Sequence, residues 1–189
     1  MVKHAIFHEG HVNKSADNGL IKQLIQHLEL DIQKVHFYGM GSKSNFFKYN
    51  HNNYQDLKLL LETDQINKAL FVIDADNHRS DSIYGGFNRT QIEIIKTIDQ
   101  LNIKDCCDTY ISCDPKTKEG YIESLILSSI PIAHKKCIET FFLCSNFSSR
   151  DNSKAILNQL YKRAYPNEPY NFEHSNFDSL KEKIIKLFA

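Results

Sequence analysis

The sequence predicts an α/β fold with a parallel-sheet core, helices on both faces of the sheet and a helical C-terminal extension. Three observations lead to this prediction. Short apolar segments alternate with segments of helical periodicity, which is the pattern of repeated strand–helix units. The segment from Ala69 to Ile73 is apolar throughout, as expected for a central strand that is covered on both faces. After about Lys118 the pattern is helical only.

The first part of the chain supplies the predicted strands. Ala5 to Phe7 is a short apolar strand, and Ser15 or Asp17 is placed to cap a helix whose apolar residues recur at helical spacing. The predicted segments are, in order, strand 5–7, a helix to residue 28, strand 35–38, helix 56–61, strand 69–73, helix 90–101 and strand 109–113. We therefore expect an α/β core over residues 1–116.

The remaining residues, 117–189, are expected to form a helical extension packed on the core. The predicted helices are 121–127, 134–144, 151–161 and 177–188, with Pro166 and Pro169 marking a loop before the last helix. Cys137 and Cys144 lie seven residues apart in an apolar helical segment, and we expect both to be buried small hydrophobic residues.

Composition sets limits on partners and location. The 189 residues include 23 basic and 23 acidic side chains, so any contact with nucleic acid must use a local patch rather than a global field. No apolar run approaches the roughly 18 residues of a membrane span. The five cysteines suggest neither a disulfide framework nor a zinc site. With no signal peptide recognisable in the first residues, we expect a cytoplasmic protein.

Acidic residues follow two of the predicted strands. Glu9-Gly10 follows the first strand, and Asp74 and Asp76 follow the most apolar one. Parallel strands bring their carboxyl ends to one edge of the sheet, and residues two apart in an extended segment point to the same side. Carboxylates this close repel each other, so we expect a cation to neutralise them. Oxygen ligands favour Mg²⁺ or Mn²⁺. Glu9 would complete the site or act as a general acid or base, while Gly10 would leave space for a phosphate.

These motifs together resemble the Toprim domain of topoisomerases, primases and the overcoming-lysogenization-defect nucleases. The resemblance rests on Glu9-Gly10, on Gly-x-Gly-Ser-Lys-Ser-Asn at 39–45 and on Asp74-x-Asp76, and it extends to Asp114-Pro115 and to residues 120–127. It covers about residues 3–144 and is similar to a small stand-alone group within the family. It implies a Rossmann-like core and Mg²⁺-dependent nuclease or nicking activity on DNA or RNA. By the same resemblance, Glu9 would have an acid–base role and Asp74 and Asp76 would hold magnesium.

The chain departs from the nuclease-like pattern at one place. Those sequences often carry an aspartate about four residues after the glutamate, whereas here residues 11–14 contain no acid and the next one is Asp17. Asp114 or Glu123 would have to replace it for a second metal ion to bind. Asp114 precedes a proline, which is typical of a turn residue, and an exposed charge on a helix is an equally good interpretation of Glu123.

Basic residues near the same strand ends are candidates for binding phosphate. Lys43 follows Gly41 and Ser42 in a loop that is not a Walker A motif, and a solvated lysine is the alternative interpretation. We expect Lys43 to be a catalytic residue that holds a phosphate at the edge of the sheet, with Gly41 and Ser42 as further phosphate-binding residues and with help from backbone amides of a following helix. Arg79 and Arg89 flank a glycine pair and would clamp a substrate.

Two other functions fit parts of the sequence. A catalytically inactive Toprim-like fold, serving as a partner-binding or regulatory module or a homo-oligomer, would explain the neutral charge and the missing acid. A nucleotide-sugar transferase would use Asp74 and Asp76 but leaves Glu9 and the glycine-containing loop without roles. A zincin-type zinc site is excluded, because its two histidines must lie four apart on a helix, whereas His8 and His11 are three apart.

Overall fold

The core of the protein is a four-stranded sheet in which all strands are parallel. The computed structural model describes residues 3–11, 15–79, 81–145, 150–165 and 170–189. The strands are β1 (Lys3–His8), β2 (Val35–Gly39), β3 (Ile66–Asp74) and β4 (Cys107–Ser112). Their order across the sheet is β2-β1-β3-β4. The predicted α/β class is confirmed, and each predicted strand lies within or overlaps an observed one.

Helices connect the strands and follow the sheet. They are α1 (Ala16–His27), α2 (Lys43–Phe46), α3 (Asn52–Glu62), α4 (Phe87–Leu101), α5 (Ile122–Ser128), α6 (Ile132–Cys144), α7 (Arg150–Ala164) and α8 (Asp178–Phe188). The predicted helices all occur, with ends shifted by a few residues, and the short α2 is additional. The predicted loop at Pro166 and Pro169 and the residues 12–14 lie outside the described ranges.

The central position of β3 follows from its sequence. From Ala69 to Asp74 every residue is buried, because β1 pairs with one side of the strand and β4 with the other, while helices cover both faces. A continuous apolar segment suits only such a position. In the register of the sheet, His8 of β1 lies opposite Val72 of β3 and opposite Gly39 of β2. The strands therefore end side by side.

Alternating side chains of the strands build two separate cores. On one face, Ile6, Leu70 and Val72 pack with apolar residues of α1, α5, α7 and α8. On the other face, Phe7 and Phe71 pack with residues of α2, α3 and α4. The Phe7 ring stacks on Tyr38 and Phe71, with centroids 4.5 and 4.9 Å apart. The predicted helices on both faces are thus confirmed.

Helices that follow residue 116 contribute to the core that contains Ile6. Leu180 and Ile184 of α8 and Leu125 of α5 are fully buried in the core that also contains Ile6. Ion pairs fasten α8 to the sheet: Lys183 Nζ lies 2.6 Å from Asp108 Oδ1 in β4, and Lys186 Nζ lies 3.2 Å from Asp108 Oδ2. The C-terminal helix is therefore a structural layer of the fold.

Helix α6 differs from the other long helices, because it has no buried residue. Ile132 and Leu143 are 86 and 82 % exposed. Cys137 and Cys144 are also exposed, so the prediction that they are buried is wrong: the helix is apolar in composition, but its contact with the core that contains Ile6 is through the partly buried Ile138, and the two cysteines do not share that contact. Within the described ranges, no helix combines the length and apolarity needed to cross a membrane.

Candidate functional site

The candidate site lies at the edge of the sheet where β1 and β3 end. Glu9 directly follows β1, and Asp74 is the last residue of β3. Because the two strands are neighbours and parallel, with His8 opposite Val72, both acids lie at the same edge. The backbone of β2 reaches this edge as well, since the Met40 amide donates to the His8 carbonyl at 2.9 Å. The predicted placement of Glu9 and Asp74 on one edge is confirmed.

Asp74 is held by donors from two other elements. It is 4 % exposed, and its Oδ1 accepts hydrogen bonds from Ser112 Oγ at 2.8 Å and from the Ile122 amide at 3.0 Å. Ser112 ends β4 and Ile122 begins α5. The carboxylate therefore satisfies a helix-terminal amide that would otherwise lack a helical partner. Its position joins β3, β4 and α5.

Asp76 is not on an extended segment. Its φ angle is +57°, in the left-handed region, and its backbone forms an antiparallel bridge with Gly120. The Asp76 amide donates to the Gly120 carbonyl at 2.6 Å, and the Gly120 amide donates back at 3.1 Å. The sequence argument that Asp74 and Asp76 point to the same side assumed an extended chain, and that assumption is wrong at Asp76. That the two side chains point to the same side stays a prediction.

The partner of Asp76 is Lys43, which is only 5 % exposed. Lys43 Nζ donates to the Ala75 carbonyl at 2.6 Å and lies 3.3 Å from Asp76 Oδ2. The interpretation of Lys43 as a solvated lysine is therefore wrong. Burying an ammonium group is costly unless it is paired, and here both a carbonyl and a carboxylate compensate for the lost water. The predicted binding of phosphate by Lys43 stays a prediction.

The turn before Lys43 positions this side chain. Gly41 has a φ of +76°, a conformation that glycine adopts without strain. Ser42 precedes α2, and its hydroxyl oxygen lies 3.1 Å from Ser44 Oγ. Asn45 Nδ2 donates to the Met40 carbonyl at 2.7 Å and closes the turn. Helix α2 has only four residues, so it offers little of the helical amide array that the sequence argument assumed.

Gly10 allows Ser15 to pack closely against the backbone and does not leave open space on that side. A Cβ atom at this position would lie 2.0 Å from Ser15 Cβ, so the side of Gly10 on which a side chain would stand is filled by Ser15. The prediction that Gly10 leaves room for a phosphate is wrong on that side, because the first turn of α1 packs directly against the end of β1. Asp17 Oδ2 accepts the Gly10 amide hydrogen bond at 3.2 Å.

Asp17 and Tyr170 are residues of this edge that the sequence argument missed. Glu123, in the first turn of α5, is 7 % exposed, so its interpretation as an exposed helix charge is wrong. Burial raises the pKa of the Tyr170 phenol, and the negative charges of Glu123 and Asp17 raise it further. The acidic first turn of α1 was a usable signal for Asp17. For Tyr170, which lies far along the chain, there was none.

Asp114 behaves as the turn residue that its proline suggested. Its Oδ1 accepts hydrogen bonds from the amides of Lys116 and Thr117 at 2.9 and 3.3 Å. Its Oδ2 lies 2.8 Å from Lys135 Nζ of α6. Burial opposes ionisation of this carboxyl group, but the hydrogen bonds from Lys135 and the backbone outweigh it and lower the pKa. Asp114 thus fastens its turn to α6.

A cavity of about 610 Å³ lies between the loop that follows Asp76 and the loop that precedes Gly120. Arg89 lines it, and the Arg89 guanidinium donates to the Ser82 carbonyl at 2.8 Å. Lys118 Nζ lies over the Phe87 ring, 5.4 Å from its centroid. Arg79 is exposed, and its amide donates to Asn77 Oδ1 at 2.9 Å. The clamp role of the two arginines stays a prediction.

The acids of the site do not form a ready-made metal cage. Among the residues that the structure describes, which include Glu9, Asp74 and Asp76, no group of three or more His, Cys, Asp or Glu side chains is arranged to hold a metal ion. Asp76 has an ammonium group as its cationic neighbour, and Asp74 Oδ1 has two protein donors. A cation at this edge would need water or substrate oxygens as additional ligands.

Comparison with known proteins adds no relative from which a role could be transferred. No protein-family model, no curated protein and no solved structure matches the chain.

Proposed function

We propose that the protein carries out Mg²⁺-dependent phosphodiester chemistry on nucleic acid, as a nuclease or nicking enzyme of Toprim type. The observation that carries the proposal is the ion pair between the buried Lys43 and the partly buried Asp76, beside the carboxyl ends of β1 and β3. Buried charges are expensive, and they concentrate at functional sites. Two further carboxyl groups, those of Glu9 and Asp74, belong to the same edge.

The proposed roles follow from the partners of each group. Mg²⁺ in such enzymes keeps several water ligands and is held by one or two carboxylates together with substrate phosphates, so a complete protein cage is not required. Asp76 would be the principal metal ligand. Asp74 would be the second carboxylate of the metal site, and through the hydrogen bonds that its Oδ1 accepts it would hold the edge in shape. Glu9 would act as general acid or base.

The nucleic acid would enter through the cavity beside Asp76. Arg89 and Lys118 bring positive charge to its wall, and the Phe87 ring offers an apolar surface. Phosphates pair with arginine and lysine, and unpaired bases stack on aromatic rings. Arg79 lies in the loop that follows Asp76 and would add a phosphate contact. Asp81 and Glu119 also line the cavity, so the attraction would come from individual contacts of these basic side chains with phosphates and not from a net positive charge.

A cytoplasmic location is part of this proposal. All five cysteines are free thiols: Cys106, Cys107, Cys113, Cys137 and Cys144. Thiols persist in a reducing compartment, and Mg²⁺ and nucleic acid are both present there.

The test is a cleavage assay with end-labelled single- and double-stranded DNA and RNA in Mg²⁺ or Mn²⁺. We expect Asp76→Asn to lower cleavage by about 100-fold or more, as the loss of several kcal/mol of transition-state stabilisation would. The matched control is Glu62→Gln, which neutralises an exposed carboxylate at the end of α3. Equal cleavage by the wild type and Asp76→Asn would reject the proposed activity.

A catalytically inactive partner-binding module is the second candidate. The observation in its favour is that protein donors already engage both Asp74 and Asp76. This function predicts no heat of Mg²⁺ binding at millimolar concentration, together with a stable complex with another protein in the cell. Tight Mg²⁺ binding accompanied by nucleic-acid turnover would reject it.

A further inference from the structure

The ammonium group of Lys43 is a cationic neighbour that the chain itself supplies to Asp76. Its two oxygen neighbours are the Ala75 carbonyl, at 2.6 Å, and the Asp76 carboxylate, at 3.3 Å. Backbone carbonyl and carboxylate oxygens are the ligand types that Mg²⁺ and Mn²⁺ prefer. One positive charge of the chain itself therefore occupies an oxygen environment suited to a metal ion.

Several contacts hold Lys43 in this position. The side chain is 5 % exposed, although lysine usually extends its ammonium group into water. The turn at Gly41, with its φ of +76°, and the hydrogen bond from Asn45 to the Met40 carbonyl fix the backbone immediately around it. The Ala75 carbonyl also accepts from the Gly86 amide at 2.8 Å, which anchors that acceptor. The ion pair is therefore part of the folded structure rather than a chance surface contact.

We propose that Lys43 is an intramolecular counter-cation that competes with the divalent metal ion for Asp76. Two positive charges at one carboxylate repel each other strongly in a poorly solvated site, so the metal ion binds only when the ammonium group moves away. This inference deepens the proposed function and rests on it: the resting protein holds its metal weakly, and the displaced ammonium becomes available to a substrate phosphate, whose oxygens would add ligands to the metal ion.

The test measures Mn²⁺ binding without nucleic acid, by the loss of the electron paramagnetic resonance signal of free Mn²⁺. Lys43→Gln removes the charge and keeps an N–H donor for the Ala75 carbonyl, while Lys43→Met removes both. We expect each variant to bind Mn²⁺ at least tenfold more tightly than the wild type. Lys48→Met is the matched control, because it removes an exposed lysine whose ammonium group donates to Asn45 Oδ1 and not to Asp76, and we expect a change of less than twofold.

Asp76 must be the ligand that the lysine blocks. Adding Asp76→Asn to Lys43→Gln should therefore abolish the gain in affinity. Equal or weaker Mn²⁺ binding by the Lys43 variants, or an equal gain in Lys48→Met, would overturn the inference. The result of the Mn²⁺-binding measurement can be interpreted independently of the result of the cleavage assay. A gain in Mn²⁺ affinity without any nuclease activity would reject only the proposed function, and nuclease activity without the gain would reject only the role of Lys43.

If neither Lys43 variant folds, an NMR experiment on the wild-type protein tests the inference instead. In a buried, hydrogen-bonded lysine the ammonium protons exchange slowly with water, so the group gives a ¹H–¹⁵N correlation signal. In a solvated lysine this exchange is fast and the signal is lost. We expect a Mg²⁺ titration to shift or erase the Lys43 signal in step with the shift of the Asp76 carboxyl carbon. A Lys43 signal that stays unchanged up to the highest Mg²⁺ concentration would overturn the inference.

Discussion

Single residues at the strand ends combine structural and proposed chemical roles. Asp74 bridges β4 and α5 through one carboxylate oxygen, so its removal affects folding before it affects any reaction. Asp76 instead forms an ion pair with Lys43, and its backbone bridge to Gly120 does not depend on the side chain. A substitution of Asp76 can therefore test function with less risk of unfolding the protein than a substitution of Asp74.

We predict that Asp74→Ala lowers the free energy of unfolding by about 1–3 kcal/mol, because it leaves the Ile122 amide buried without its acceptor, whereas the Ser112 hydroxyl keeps a second acceptor, the Ile73 carbonyl at 3.2 Å. Asp74→Asn keeps an oxygen acceptor and should cost less than half as much. Urea unfolding followed by circular dichroism measures both values. Equal losses for alanine and asparagine would contradict the assigned hydrogen bonds.

His8 makes stability depend on pH. It is fully buried, with Nδ1 3.3 Å from Ser15 Oγ and Nε2 3.4 Å from Asn18 Nδ2. Burial, assisted by the positive charge of Lys22, lowers the pKa of His8 from 6.5 to about 4. Between these two values the unfolded chain binds more protons than the folded one, so the free energy of unfolding falls as the pH falls.

The expected loss on going from pH 7.5 to pH 4 is about 3 kcal/mol from His8 alone. Urea unfolding at several pH values measures it, and His8→Gln should flatten the slope between pH 6.5 and 4. His4 is also buried with a lowered pKa, so part of the slope will remain. The lowered pKa values of Asp108 and Asp114 act at a lower pH, below 3.8. A slope identical in wild type and His8→Gln would contradict a neutral buried His8.

The sequence predicted which residue types lie at this edge but not their partners. The strand-end positions of Glu9 and Asp74 follow from the apolar pattern, because the pattern determines where each strand ends. The pairing of Lys43 with Asp76 depends on a left-handed residue and a short helix, and neither leaves a clear pattern in the sequence. The position of Tyr170 beside Glu123 depends on how the last helices return to the sheet.

At the scale of elements, the connection from β1 to α1 is unusually close. Ser15 caps α1 by accepting the Asn18 amide hydrogen bond at 3.2 Å, and the same residue lies against Gly10. The end of the strand and the start of the helix thus share one contact, which leads directly into the candidate site.

We predict opposite effects for two glycine-to-alanine substitutions on this connection. Gly10→Ala would force its Cβ against Ser15 and should destabilise the protein by about 1–3 kcal/mol. Gly19→Ala, within α1, meets no atom within 4 Å and should stabilise it by about 0.5–1 kcal/mol, since alanine favours the helix. Thermal unfolding of both variants tests this. Similar effects of the two substitutions would argue against the close contact at Gly10.

Helix α6 gives a second test at this scale. Cys137 and Cys144 are exposed on it, whereas Cys113 is 5 % exposed at the end of β4. We expect iodoacetamide to label the two α6 thiols in the native protein and to label Cys113 only after unfolding. Burial raises the pKa of Cys107 to about 12, so this thiol should also react slowly. Peptide mass spectrometry locates the labels, and protection of Cys137 and Cys144 would show that something covers α6.

The elements themselves were largely predictable, and their burial was not. Apolar residues at helical spacing predicted a helix at α6, but composition alone could not show that this helix has no fully buried residue and meets the core only through the partly buried Ile138. In α4 the same kind of pattern corresponds to a buried face, which includes Ile94, Ile98 and Leu101. The difference arises from which helix the connections place against the sheet.

At the scale of the whole molecule, the fold brings distant segments to one place. The order β2-β1-β3-β4 puts the two central strands next to each other, so Glu9 and Asp74 lie at the same edge of the sheet, although more than sixty residues separate them in the sequence. Ligands of open α/β sheets bind at such carboxyl ends. A third carboxyl group, that of Glu123 in α5, belongs to the segment after β4.

The most direct test of the account is a crystal soaked in MnCl₂ and examined for anomalous density at the carboxyl end of β3. The account predicts a manganese ion in contact with the Asp76 carboxylate and a Lys43 ammonium group that has left the Ala75 carbonyl. A structure in which Lys43 keeps both of its present contacts, with no manganese beside Asp76 at saturating concentration, would contradict it.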